Sequence, residues 1–236
     1  MSRTILFLFI LNIIGFVQAQ NFKPDSSFLA DAQKSAVQLY SQSLSAQSHL
    51  YNGSAYTEYR SQNEEHPYFI DEWLEGTIQY DGDLYENVPL LYDISKDKLI
   101  TDHQYTVNKI ELINERIGYF TIKDHLFVPL ENKKLVKGFY ELAYDGLTKV
   151  YVRYQKALQS KRVDYSIENL FEEKTIYYIL KDNRYITVKS KGSVLKVLED
   201  KKTELKKFIR DNHLGFKSYR TKDITRLVQH YDQLKN

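Results

Sequence analysis

Between Trp73 and Lys189 apolar and polar residues alternate with a period of two, the pattern of strands buried on one face. Leu74, Gly76, Ile78 and Tyr80 share one side against Glu75, Thr77 and Gln79. Val150, Val152 and Tyr154 oppose Lys149, Tyr151 and Arg153 in the same way. Asp81-Gly82, Asp145-Gly146 and Asp182-Asn183 each stand between two such runs. Dipeptides of this kind accept the positive φ that two-residue hairpin turns require. Further strands are expected near 84–92, 99–101, 105–113, 116–122, 126–130, 136–144, 175–180 and 185–189, and residues 157–173 read as a loop or broken element. Consecutive hairpins without crossover helices predict an antiparallel β meander or barrel-like sheet of about ten strands across residues 73–190.

The period lengthens to that of a helix at both ends of this region. Leu29, Ala32, Ala36, Val37, Tyr40 and Leu44 recur at helical spacing behind the candidate caps Asp25, Ser26 and Ser27, which predicts a helix over residues 27–46. Residues 193–234 form a helical end: a short piece starting at Ser193, a helix capped by Asp200, and a last helix capped by Thr221. That last helix carries Ile224, Leu227, Val228, Tyr231 and Leu234 on one stripe, expected to pack on the sheet. The fold class is α+β, with an N-terminal helix and C-terminal helices packed on the sheet.

Ahead of all this, Met1-Ser2-Arg3 precedes an apolar run from Thr4 to Val17 and a small-residue site at Val17 and Ala19. Charge, apolar core and small residues in that order make residues 1–19 a signal peptide cut before Gln20. The run is shorter than the ~20 residues that span a bilayer, and Asn12 and Gly15 interrupt it. The expectation is therefore a single mature domain, residues 20–236, that is not an integral membrane protein. It would be periplasmic or secreted, with peripheral attachment to the envelope left open.

The chain has no cysteine, so disulfides, thiol chemistry and cysteine-ligated zinc do not arise. Its net charge of +2 falls to +1 once Arg3 is removed, too close to zero to argue for nucleic acid. Twenty Tyr and twelve Phe in 236 residues make an aromatic-rich chain. Tyr fills half-buried sheet surface and also stacks on sugars, and the first use is the commoner.

Motifs that carry chemistry are missing. The six His form no His-Glu-x-x-His pair, and Gly-x-Ser-x-Gly, Walker and Gly-x-Gly-x-x-Gly loops do not occur. His103 and His125 are the nearest candidates for an assembled site. Ser193 and Lys196 fit Ser-x-x-Lys but lack its companion motifs, and read as a helix cap followed by a solvated Lys. Asp71, Glu72 and Glu75 read as a solvated acidic face. Lys149, Arg153, Lys156, Lys161 and Arg162, interleaved with Tyr151 and Tyr154, form the one basic-aromatic cluster, read as a solvated sheet face. No cofactor or metal is implied. The candidate ligand-binding residues are Tyr51, Asn52, Tyr68 and Trp73, on the irregular connection between first helix and sheet, where function tends to sit.

Several segments together carry a resemblance: Leu50-Tyr51-Asn52-Gly53, His66-Pro67-Tyr68-Phe69 leading to Trp73, Tyr80-Asp81-Gly82, Val88-Pro89-Leu90-Leu91-Tyr92-Asp93 and the Lys-rich tail from Lys201 to Phe208. In these the chain resembles a family of exported proteins of unknown function from Gram-negative bacteria. The resemblance implies an envelope location and carries over no site residue. Two function classes follow. One is a non-enzymatic binding or accessory protein whose partner is an envelope protein, a glycan or a lipid. The alternative is an envelope hydrolase with an assembled, motif-free site.

Overall fold

A computed structural model of the protein describes residues 50–59, 66–102, 109–163, 166–217 and 220–235, together with Ser35. The chain divides into two compact units, Met1–Ser45 and Ala46–Asn236, and the sheet and helices below all belong to the second. The expected signal peptide and the helix over 27–46 lie outside the described residues.

Among the described residues, eleven strands form one antiparallel sheet: β1 (Ser54–Ala55), β2 (Leu74–Tyr80), β3 (Asp83–Asp93), β4 (Lys98–Asp102), β5 (Lys109–Glu111), β6 (Ile117–Ile122), β7 (His125–Asn132), β8 (Leu135–Tyr144), β9 (Lys149–Val163), β10 (Ser166–Lys181) and β11 (Arg184–Val188). Their spatial order is β1-β5-β4-β3-β2-β6-β7-β8-β9-β10-β11. From β2 the chain steps outward to β5, returns through a single turn of 3₁₀ helix at Asn114–Arg116, and continues from the other side of β2. The sheet stays open, with β1 and β11 as its edges, so the barrel-like alternative is not met.

Two of the expected hairpins have the two-residue turns their sequence calls for. Asp81 and Gly82 (φ 54° and 91°) join Tyr80 to Asp83, and Asp182 and Asn183 (φ 50° and 58°) join Lys181 to Arg184. Asp145-Gly146 departs from this. β8 ends at Tyr144 and β9 begins at Lys149, so the connection has four residues. Its Thr148 amide donates to Asp232 Oδ2 on the last helix at 3.0 Å, and a β-carbon on Gly146 would crowd the same carboxylate. Contact with that helix, rather than local turn preference, shapes the loop. The expected loop over 157–173 is instead the outer part of the β9–β10 ribbon, which pairs without interruption from Leu180↔Lys149 to Ser166↔Val163. Charged residues obscure the alternation there, while backbone pairing and the register of Leu158 on Phe171 sustain the strands.

Three helices follow the sheet: α1 (Lys191–Val197), α2 (Lys202–Asp211) and α3 (Arg220–Gln233). α1 starts earlier than expected, because Ser190 rather than Ser193 is its N-cap and the two serines form a reciprocal capping box. Ile224, Leu227, Val228 and Tyr231 of α3 are buried and Leu234 half-buried, as the stripe predicted. They share a core with Val150, Val152, Ile179 and Val188 of the sheet. A second core fills the β2–β8 half, where Tyr92, Phe120, Phe127 and Phe139 meet edge to face or stacked at 4.9–6.1 Å. Tyr154 packs against both cores. No helix of the described residues is long and apolar enough to cross a membrane.

Candidate functional site

The β3–β4 turn is built around two aspartates. Asp93, fully buried, accepts from the Ser95 and Lys96 amides at 2.8 and 2.9 Å, which closes the turn on a side chain. Tyr56 OH donates to its other oxygen at 2.8 Å. Asp97 ends the turn with φ 58° and reaches across to β8 and β9. Its carboxylate accepts from Tyr92 OH at 2.6 Å, from the Phe139 amide at 3.3 Å and from Arg153 Nη2 at 3.3 Å. Burial, then the Asp97 charge, hold the Tyr92 hydroxyl well above its ordinary pKa, so it stays a donor. One further backbone bond crosses this seam, from the Lys156 amide to Ile94 O at 3.3 Å.

Gly138 makes the seam possible. Its φ is 153°, and a β-carbon there would overlap both the Asp97 carboxylate and the Arg153 guanidinium. Arg153 is only 6% exposed, stands over the Tyr140 ring at 4.9 Å, and also donates from Nη1 to Val136 O at 3.3 Å. Its Nε has no hydrogen-bond partner among the described residues. Asn114, from the 3₁₀ turn, donates from Nδ2 to the Asp97 carbonyl at 2.8 Å. That bond fixes the amide's orientation and leaves Oδ1, also buried, unpartnered. Both side chains line a cleft of about 420 Å³, with Ser95, Lys137, Pro129 and Phe139.

A second cluster sits on neighbouring strands. Glu141, 6% exposed, accepts from Tyr154 OH at 2.6 Å and lies 2.7 Å from His125 Nδ1. A carboxylate only accepts, so Nδ1 carries the proton. The Glu141 hydrogen bond outweighs burial and raises the His125 pKa above its ordinary 6.5. Phe69 covers the cluster, its ring 5.0 Å from His125 and 4.7 Å from Tyr154.

Of the four residues expected to bind ligand, the structure brings Tyr68 and Trp73 together. Tyr68 and Trp73 share the Lys109 ammonium, 5.9 and 5.8 Å from their rings. Tyr68 is buried with Tyr56, Leu91 and Ile100, while Trp73 is 39% exposed. Tyr51 packs against the β2–β8 core instead, and Asn52 is exposed. The basic-aromatic cluster does not form one solvated face either. Arg153 is buried on Asp97, and Lys156 donates to the His66 and Tyr68 carbonyls at 3.1 and 3.0 Å. Ser193 Oγ serves the α1 cap, accepting from the Lys189 and Ser190 amides. Asp71, Glu72 and Glu75 are exposed, as expected. His103 lies outside the described residues. No group of three His, Asp or Glu among the described residues is placed to hold a metal ion.

Sequence reasoning missed Asp97, Asn114, Gly138 and Glu141. A glycine inside the strand pattern from Val136 to Tyr144 was the one available signal, since such a glycine marks a bulge or a close approach. Comparison with known families, with curated proteins and with solved structures finds no match to the chain.

Proposed function

We propose that the protein is a non-enzymatic binding protein of the cell envelope, whose ligand occupies the cleft at the β3–β4 seam. One observation carries this reading. Arg153 Nε and Asn114 Oδ1, a donor and an acceptor, are both buried and unpartnered, and both side chains line the same cleft. A buried polar atom left unpaired costs about 1–3 kcal/mol. Two such atoms, on residues that line one cleft, favour a bound molecule that enters the cleft and shifts these side chains to pair with them. A volume of about 420 Å³ lies within the ~300–1,000 Å³ of small-molecule sites. An exported location rests on the signal-peptide pattern of residues 1–19.

Native mass spectrometry of the protein purified from its own envelope tests the proposal. A bound mass retained by the wild type and lost in Asn114→Leu supports it. Purification without any adduct, or an adduct indifferent to Asn114→Leu, contradicts it.

A second reading, an envelope hydrolase, is favoured by the His125–Glu141 pair. A histidine oriented through Nδ1 by a buried carboxylate, with a 35% exposed side chain, is the arrangement of a general base. His125→Gln separates the two readings: it removes activity in a hydrolase and leaves ligand retention intact in a binding protein.

A further inference from the structure

The helical end of the chain differs from the sheet in charge. Residues 189–235 hold thirteen Lys and Arg against six Asp and Glu, a net charge of +7 that leaves −5 for the rest of the chain. Most of those acids are engaged within the fold. Asp223 and Asp232 are buried on the Phe216 and Thr148 amides at 2.8 and 3.0 Å. Asp200 pairs with Lys181 and Lys235 at 2.9 Å each, and Asp211 with Arg210 at 3.4 Å. Glu199 and Glu204 are the two that remain, both exposed. On the sheet, by contrast, Lys98, Lys109, Arg116, Lys149 and Arg153 each meet a carboxylate.

Two clefts open on this part of the molecule, and the β11–α1 junction contributes to both. One, of about 520 Å³ between α1 and α2, is lined by Lys191, Lys206, Arg210 and His213. The other, of about 420 Å³, has Lys174, Lys189 and Arg220 in its lining. No Asp or Glu lines either cleft. Lys174, Lys189, Lys191 and Lys206 are exposed, and none forms an ion pair among the described residues. Arg220 donates from Nε to the Phe216 carbonyl at 3.2 Å, which leaves its charge uncompensated. Cations gathered in this way set up a positive potential that attracts anions. They are spread over β10, the β11–α1 junction, α1, α2 and the start of α3, more than one small anion can reach, whereas an extended anionic surface meets them together. Single-stranded nucleic acid is bound through exposed rings as well as charge, and here Tyr177 is buried with the Arg220 guanidinium over its ring at 5.8 Å. The export expected from residues 1–19 also brings the mature chain to membranes rather than to nucleic acid. We infer that this helical face lies against a bilayer of anionic lipid. It is held there by charge and not by insertion, since Leu195, Ile209 and Leu214 at the floor of the larger cleft are buried. The face is independent of the seam cleft.

Cosedimentation of the mature chain with lipid vesicles tests it, using phosphatidylcholine alone and phosphatidylcholine with about 30% phosphatidylglycerol. The expected result is binding to the anionic vesicles only, weakened about tenfold or more as salt rises from about 50 to about 300 mM. Lys191→Glu with Lys206→Glu should weaken it about tenfold or more, since each Lys near such a surface contributes about fivefold. Lys174→Glu with Lys189→Glu should do the same at the second cleft. Lys133→Glu with Lys134→Glu makes an equal change of net charge on the exposed β7–β8 turn and should leave binding within about twofold. All six positions are exposed, and equal melting temperatures confirm that the variants fold. Equal binding to neutral and anionic vesicles overturns the inference, as does an equal loss from the Lys133 and Lys134 pair. A single-stranded oligonucleotide that strips the protein from the vesicles assigns the face to nucleic acid and overturns it too.

Discussion

Arg153 of β9 and Asp97 of the β3–β4 turn, 56 residues apart in the chain, pair at 3.3 Å, and they can do so because residue 138 has no side chain. Gly138→Ala should therefore be among the more damaging small substitutions in the protein. The added carbon strains a backbone at φ 153° and pushes apart a buried ion pair. A loss of about 1–3 kcal/mol is expected, lowering the melting temperature by about 2–4 °C for each kcal/mol. Melting within a degree of wild type would mean that the seam yields easily, and that the cleft is not held in shape.

The His125–Glu141 pair gives stability a pH dependence of known sign. The folded-state pKa of His125 is raised by its Glu141 hydrogen bond, so protonated His125 is favoured in the fold. Its contribution is present in full below the ordinary value of 6.5 and is lost as the pH rises through the higher folded value. Denaturant unfolding of wild type and His125→Gln across pH 5.5 to 8.5 should show the difference between them shrinking toward alkaline pH. A difference that grows with pH would reverse the assignment.

Asp232 fastens the last helix to the sheet. Its Oδ2 accepts from the Thr148 amide at 3.0 Å and from Tyr144 OH at 3.2 Å, inside a contact that leaves Asp232 buried. Asp232→Ala strands a buried amide and should cost about 1–3 kcal/mol. Asp232→Asn keeps an acceptor for Thr148 and should cost less, which thermal melts of the two variants will show.

Much of this architecture was legible in the sequence, and the divide follows range of interaction. Asp81-Gly82 and Asp182-Asn183 set their own turns through local φ preference, and the Ile224-to-Tyr231 stripe set the buried face of α3. Asp145-Gly146 did not set its turn, because a carboxylate 84 residues from Thr148 decides the loop. The β9–β10 ribbon was hidden because its outer pairs mix apolar, polar and charged residues without a period of two. The seam was illegible for the same reason of distance. Asp97, Asn114 and Arg153 come from the β3–β4 turn, the 3₁₀ turn before β6 and strand β9, and no spacing along the chain links them. Tyr51, Asn52, Tyr68 and Trp73 looked related because they share one irregular stretch, but Tyr51 and Tyr68 pack in different cores.

That stretch gives a further contrast. Trp73 is 39% exposed and touches Lys109 through its ring, so Trp73→Ala should change stability by about 1 kcal/mol or less. Tyr68 is 8% exposed, and Tyr68→Ala should cost about 3–5 kcal/mol, as for other large core aromatics. Chemical denaturation of both variants checks the order. A larger loss at Trp73 would make that residue a structural plug.

Amide hydrogen exchange with and without an extract of the protein's source cells tests the seam cleft most directly. The expected result is slower exchange confined to the β3–β4 turn at 94–97, the Asn114–Arg116 turn and the start of β8 at 137–139, absent in Asn114→Leu. Protection that instead falls around His125 and residues 66–73, or appears nowhere, would contradict a ligand site at the seam.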